Sequence, residues 1–192
     1  PKASTDNIQL STQTFGYKKL TLDFNFDKVK ELVAEGSDLV RMRGDTIEIT
    51  MPLQRMSKGD KQIMFNVFFH NGAAIMRAQS QYEMNSLLEF MNENPKRQIT
   101  LHGHTNGSGI GDLWKNPDDE FFLITSRTIK GKGTAKDLSQ ERANVMKRYL
   151  VKNGINESRI KVKGWGGKQP LYDSKSYEAK HNARVEVEVV AE

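Results

Sequence analysis

The 192-residue sequence predicts an α+β fold, a two-layer sandwich of βαβαββ order behind a small β-rich N-terminal extension. Three observations predict it. Ile99, Leu101 and Gly103 alternate with Thr100, His102 and His104, and Val185, Val187 and Val189 alternate with Glu186 and Glu188, which is the period of strands with one apolar face. Met84, Leu87, Leu88 and Met91, and later Ala143, Met146 and Leu150, recur at helical spacing. These segments follow one another as strand, helix, strand, helix, strand, strand. Such a sheet is expected to bury one face under the helices and leave the other to solvent.

In chain order, residues 1–60 read as the extension, or the end of a preceding β domain, and residues 61–192 as the main domain. Pro1 to Gly16 is polar and reads as a tail or linker. Leu20, Leu22 and Phe24 alternate as a strand. Val29 to Val33 fits either a short helix or a loop. Leu39 to Met51 reads as a hairpin turned at Gly44, and Pro52 ends it. Met64 to Phe69 reads as a strand with Phe65, Val67 and Phe69 on one face. Ser80-Gln81-Tyr82-Glu83 has the form of a capping box opening a helix that Asn94-Pro95 stops. The methionines of that helix read as core filler.

The strand at Ile99 runs into a glycine-rich loop, His104-Thr105-Asn106-Gly107. Residues 108–136 then form an insertion, long for a structureless loop inside a compact domain and so marked as functional. Its apolar run Phe121-Phe122-Leu123-Ile124 is expected to fold back or pair as a short strand. The next helix is expected over Ser139–Asn153, with Ser139 as its cap and Arg142 in its first turn. Asn153-Gly154 supplies a left-handed end. Arg159–Lys163 reads as a strand, Gly164-Trp165-Gly166-Gly167 as a tight turn, Ser174–His181 as room for one helical turn, and Arg184–Val190 as the last strand.

Composition narrows the function classes. A 36% hydrophobic and 28% charged chain is globular in type, and no apolar run is long enough to span a bilayer. The net charge of +5 comes from scattered basic residues, with no nucleic-acid motif. Zero cysteines exclude disulfides and thiolate metal sites. The chain starts at Pro1 without a leader, so it is expected to be a processed or excised piece of something longer. His102 and His104 share a strand face, and with His70 or His181 could hold zinc; buried, hydrogen-bonded histidines are the favoured reading. Gly107-Ser108-Gly109-Ile110-Gly111 lacks dinucleotide-loop spacing, Gly131-Lys132-Gly133-Thr134 is not a P-loop, and no serine sits in a nucleophile elbow.

His104-Thr105-Asn106 after Gly103, Leu138-Ser139 with Arg142-Ala143, Gly164 with Gly166-Gly167, and Asn182 to Val187 fall in the order of one family. From about Met64 to the end, the chain resembles the OmpA-like C-terminal domains, which include the periplasmic domains of OmpA, Pal and MotB. The resemblance implies a two-layer α+β fold and non-catalytic binding of peptidoglycan, with no cofactor and no metal. It implies that Arg142 receives a carboxylate of a diaminopimelate-type stem peptide, and that a loop aspartate receives the ammonium beside it. Asn106 stands where that aspartate belongs, and Asp112, Asp118, Asp119 or Asp137 are the alternatives for the charge. The implied ligand set is Thr105, Asn106, Arg142, Asn182 and Arg184, with the bland alternative that Asn182 fixes the entry of the last strand. The implied role is to anchor an outer-membrane protein or complex to the cell wall from the periplasm. The alternative is an interaction domain of the envelope that kept the fold and lost the glycan.

Overall fold

The computed structural model describes residues 8–36 and 38–192. The chain divides into two compact units, Pro1–Arg55 and Met56–Glu192. In the first, β1 (Ile8–Thr12) pairs antiparallel with β2 (Leu20–Phe24). The segment expected as a tail therefore divides: residues 1–7 lie outside the described ones, and the rest contains a strand. Cross-strand polar contacts supply what its apolar content does not, since Gln9 Nε2 donates to Asp23 Oδ1 at 2.9 Å. The ambiguous Val29–Val33 lies within a helix, α1 (Phe26–Ala34), which buries Val29. β3 (Val40–Arg43) and β4 (Thr46–Ile49) form the expected hairpin. Gly44 takes φ +59° at the first of its two loop positions, where a side chain would be strained.

The second unit is a two-layer α+β sandwich. Its four-stranded sheet has the order β5 (Lys61–Ile63), β10 (Val185–Ala191), β6 (Gln98–His104), β9 (Ile160–Gly166). β10 is antiparallel to β5 and β6, and β6 is parallel to β9. A parallel pair needs a crossover, which α3 (Ala135–Lys152) supplies, lying across β9 and β6. Ile99, Leu101, Ile160, Val185, Val187 and Val189 are buried, as are Met84, Leu87, Phe90 and Met91 of α2 (Gln81–Glu93).

Glycines set how closely α3 approaches the sheet. A Cβ on Gly103 would lie 2.0 Å from the Ser139 carbonyl oxygen, and one on Gly164 would lie 2.7 Å from the Gln140 nitrogen. Of the expected tight turn Gly164-Trp165-Gly166-Gly167, the first three residues are the end of β9, kept glycine-rich to admit the helix, and the chain turns only from Gly167.

Two further expectations are corrected. Met64–Phe69 is not a strand: the chain turns at Phe65-Asn66, with Val67 N–H donating to Met64 O at 3.3 Å. The strand lies just before it, at β5. Ser80 does not cap α2 through its side chain. Its hydroxyl instead accepts from Phe68 N–H at 2.9 Å and donates to Phe68 O at 3.1 Å, pinning that turn. Glu83, the other half of the expected box, accepts from Asn66 Nδ2 at 3.2 Å.

The segment 108–136 contains an antiparallel ribbon, β7 (Ile110–Lys115) with β8 (Ile129–Thr134). The ribbon is tied to the loop at 72–74, where Trp114 N–H donates to Gly72 O at 2.9 Å and Ala74 N–H to Trp114 O at 2.8 Å. Phe121 folds back onto α3 and meets Tyr149 edge-on at 5.4 Å between ring centroids, while Leu123 and Ile124 stay exposed.

Candidate functional site

α3 begins four residues before Ser139. Thr134 is its N-cap, in a capping box with Asp137: Asp137 N–H donates to Thr134 Oγ1 at 3.1 Å, and Thr134 N–H donates back to Asp137 Oδ2 at 2.9 Å. Thr134-Ala135-Lys136-Asp137 carries the Thr-x-x-Asp signal that could have placed this start. Ser139 is thus inside the helix. Its hydroxyl donates to Lys136 O at 2.8 Å and accepts from Gly166 N–H at 2.9 Å, bolting α3 to the end of β9. Arg142 lies two turns in, not in the first turn, so the helix end does not act on it as a neighbour.

Arg142 nonetheless reaches a cavity. Thr134, Ala135, Leu138 and Arg142 share one helix face at spacings of three and four, and they wall a cavity of about 300 Å³. The loop Thr105-Asn106-Gly107 forms a second wall, and Ile110, Gly111 and Asp112 of β7 with Gly133 of β8 form a third. The insertion therefore lines this cavity rather than filling it.

The guanidinium is nearly buried, with Nε donating to Ala73 O at 3.0 Å and Nη2 to His70 O at 3.4 Å. Its carbon sits 4.9 Å from the Phe69 ring centre. Among the described residues no carboxylate lies within ion-pair reach of it. Burial pulls its pKa down to about 10, which leaves it charged at neutral pH. A buried cation held, among the described residues, by two carbonyls and an aromatic face, beside open space, is suited to take an anion.

The other residues of the expected set are placed as follows. Thr105 Oγ1 donates to Gly107 O at 2.9 Å and Thr105 N–H to Gly166 O at 3.0 Å, which fixes the loop. Asn106 Oδ1 accepts from Asn182 Nδ2 at 3.0 Å, and its NH2 has no partner among the described residues. Asn182 is buried behind Asn106, where its own Oδ1 accepts from Leu171 N–H at 2.7 Å and Tyr172 N–H at 2.9 Å. It positions Asn106 without lining the cavity. Arg184 is not brought to this cavity either. Its Nε donates to Glu186 Oε1 at 2.7 Å, and it lines a separate groove with Phe65, Phe68 and Tyr172.

The sheet face opposite the helices is not left to solvent at this end, contrary to the alternation. His102, His104, Arg184 and Glu186 are all buried there, with Trp165 stacked beside both imidazoles at 6.2 and 6.5 Å. Trp165 Nε1 donates to His102 Nδ1 at 3.0 Å, so the ring proton sits on Nε2, which meets Glu188 Oε2 at 2.7 Å. Burial lowers the His102 pKa, in keeping with that neutral tautomer. His104 Nε2 stands 3.7 Å from Glu186 Oε1, too far for a hydrogen bond. Neither imidazole meets a third ligand; among the described residues no three His, Asp or Glu side chains are grouped to hold a metal ion.

Burial by itself would raise the Glu186 pKa, but Arg184 and the His104 ring outweigh it and hold it at about 2. A folded-state pKa below the unfolded one contributes stability that is present above about pH 4.5 and lost as pH falls towards 2. Urea unfolding at stepped pH checks this. The parent is expected to lose stability through that window, and Glu186→Gln to show a shallower loss.

These features meet what is known of other chains. The model of the OmpA family matches residues 68–184. Outer membrane porin F of Pseudomonas fluorescens is 27% identical over 132 residues, covering 68% of this chain and 34% of the porin. The probable lipoprotein YiaD of Escherichia coli K12 is 25% identical over 151 residues, covering 77% of this chain and 57% of that protein. The chain thus spans between about a third and somewhat over half of these curated relatives. Among solved structures, a MotB-like protein from Desulfovibrio vulgaris aligns with a TM-score of 0.51 at 16% identity, over 86% of this chain and 93% of that one. The C-terminal domain of Helicobacter pylori MotB aligns with a TM-score of 0.50 at 18% identity, over 67% and 86%. Both share the fold.

Proposed function

The chain belongs to the OmpA family, whose domains are typically non-catalytic, peptidoglycan-binding anchors, and from that premise we propose that residues 56–192 bind a diaminopimelate-type stem peptide. In this reading the chain acts in the periplasm and holds an outer-membrane protein or complex to the cell wall through the rest of the full-length protein. Among the described residues no helix is long and apolar enough to cross a membrane. The observation that carries the reading is Arg142, a buried guanidinium with no carboxylate partner among the described residues, facing a cavity sized for an amino-acid end group. A planar guanidinium grips a carboxylate through paired, charge-assisted hydrogen bonds. Asn106, with its NH2 uncommitted, adds a donor from the loop. Thr105 and Asn182 hold that loop, and Arg184 is assigned to the neighbouring strand entry rather than to the ligand.

Co-sedimentation with purified sacculi tests this. A diaminopimelate stem peptide carries a carboxylate beside its side-chain ammonium, and a lysine-type one does not. The protein is expected to pellet with diaminopimelate-type sacculi and to remain in the supernatant with lysine-type ones. Equal pelleting with both would remove the carboxylate from the recognition.

A second reading, an interaction domain of an envelope complex, is favoured by one observation. The groove beside β5 leaves Phe65, Phe68, Leu171 and Tyr172 substantially exposed around about 350 Å³. Absence of binding to either sacculus would favour it.

A further inference from the structure

The cavity holds donors on two walls and needs an acceptor for any ligand that brings an ammonium group. We infer that Asp112, on the first strand of the inserted ribbon, is the ammonium-binding residue of this site, so that the ribbon completes a clamp for a zwitterion. This rests on the peptidoglycan reading and specifies its chemistry. The loop cannot serve as the acid, because Asn106 is uncharged and its carbonyl oxygen is engaged by Asn182.

The other acids of the insertion and helix start are spent. Asp118 pairs with Arg127 at 2.8 Å, Asp119 pairs with Lys152 at 2.8 Å, and Asp137 closes the capping box on Thr134. Glu120 is turned onto its own loop, where it accepts from Phe122 N–H at 3.0 Å and Leu123 N–H at 3.1 Å. Asp112 is exposed, lines the same cavity as Arg142, and has no hydrogen bond or ion pair among the described residues.

The two charges are placed by one piece of backbone. The His70 and Ala73 carbonyls hold the guanidinium, and between them Gly72, at φ +63°, lets the ribbon come close. A Cβ on Gly72 would lie 2.6 Å from Asp112 Cβ, so only glycine admits the carboxylate at this place. A cation and an anion then face one cavity without pairing to each other. That arrangement complements a group carrying a carboxylate and an ammonium together, and it disfavours a ligand with either charge alone.

Calorimetric titration of the whole chain with meso-diaminopimelate, and with pimelate as the same diacid lacking ammonium groups, tests the assignment. The parent is expected to prefer diaminopimelate by about tenfold or more, and Asp112→Asn to lose that preference while binding pimelate at least as tightly as the parent does, since the carboxylate that repels a bare diacid is gone. Adding Asn106→Asp to Asp112→Asn is expected to restore the preference from the loop. Asp118→Asn, whose carboxylate is already paired, is expected to bind as the parent. An Asp112→Asn variant that keeps the parent's preference overturns the assignment and leaves the peptidoglycan reading intact. A parent that binds neither diacid overturns both.

Discussion

Arg142→Ala lowers affinity for diaminopimelate-type sacculi by about 30- to 4,000-fold, because truncating one partner of a buried, hydrogen-bonded charge pair costs roughly 2–5 kcal/mol. Co-sedimentation over a range of sacculus concentrations measures it. Arg142→Lys recovers little of the loss. An ammonium on a flexible stem cannot hold Ala73 O and His70 O while presenting two parallel donors to the cavity. Arg142→Met separates site from fold, since it keeps an apolar stem beside Phe69 and removes only the charge. Removing that charge orphans two carbonyls, at about 1–3 kcal/mol each where they are buried, and at the same time removes the cost of an unpaired buried cation. These oppose each other, so the melting temperature of Arg142→Met is expected to stay near that of the parent while binding disappears.

Gly103→Ala gives the largest expected loss of stability. The added Cβ would stand 2.0 Å from the Ser139 carbonyl oxygen and 2.8 Å from its carbon. Both are backbone atoms in the second turn of α3, so no rotamer change relieves the contact and the helix must lift from β6. A cost of about 3 kcal/mol or more is expected, the upper end of overpacking penalties. Urea denaturation measures it. Gly131→Ala is the control, since its Cβ would meet only Leu113 O at 3.5 Å, an ordinary contact, and it is expected to stay within about 0.5 kcal/mol of the parent. The same substitution bears on function. Lifting α3 moves Arg142 away from Thr105 and Asn106, so Gly103→Ala protein that remains folded at low temperature is expected to bind sacculi more weakly than the parent.

Much of this fold was legible in the residues. The alternation in Ile99–His104 and Val185–Val189 and the helical spacing in α2 and α3 are local patterns, and the structure keeps them. What failed locally was decided by distant partners. Met64–Phe69 alternates like a strand, but Ser80 pins Phe68 from twelve residues away in sequence and holds a turn there. Ser139 has the type of a cap, but its hydroxyl goes to Gly166 on a strand that follows the helix. His102 and His104 sit on the nominally solvent face, and Trp165 of the neighbouring strand covers them.

At the site, the motif order pointed to Thr105, Asn106 and Arg142, and the structure brings these three to one cavity. Arg184 has the residue type and place of a ligand residue, and only the fold turns it onto Glu186, two positions on, which neutralises it. The choice among four acids for the missing charge could not be made from spacing. It depends on which of them already has a cation or a cap, and those partners, Arg127, Lys152 and Thr134, emerge only from the fold.

The most direct test is a titration of the isotopically labelled chain with meso-diaminopimelate, followed by backbone amide and Arg142 Nε–H resonances. Saturable shifts at Thr105, Asn106, Asp112 and Arg142 Nε–H, absent when pimelic diamide replaces the diacid, are the predicted result. Shifts confined to the groove of Phe65, Phe68 and Tyr172, or no saturable shift anywhere, would contradict a guanidinium-centred site for a wall-derived amino acid.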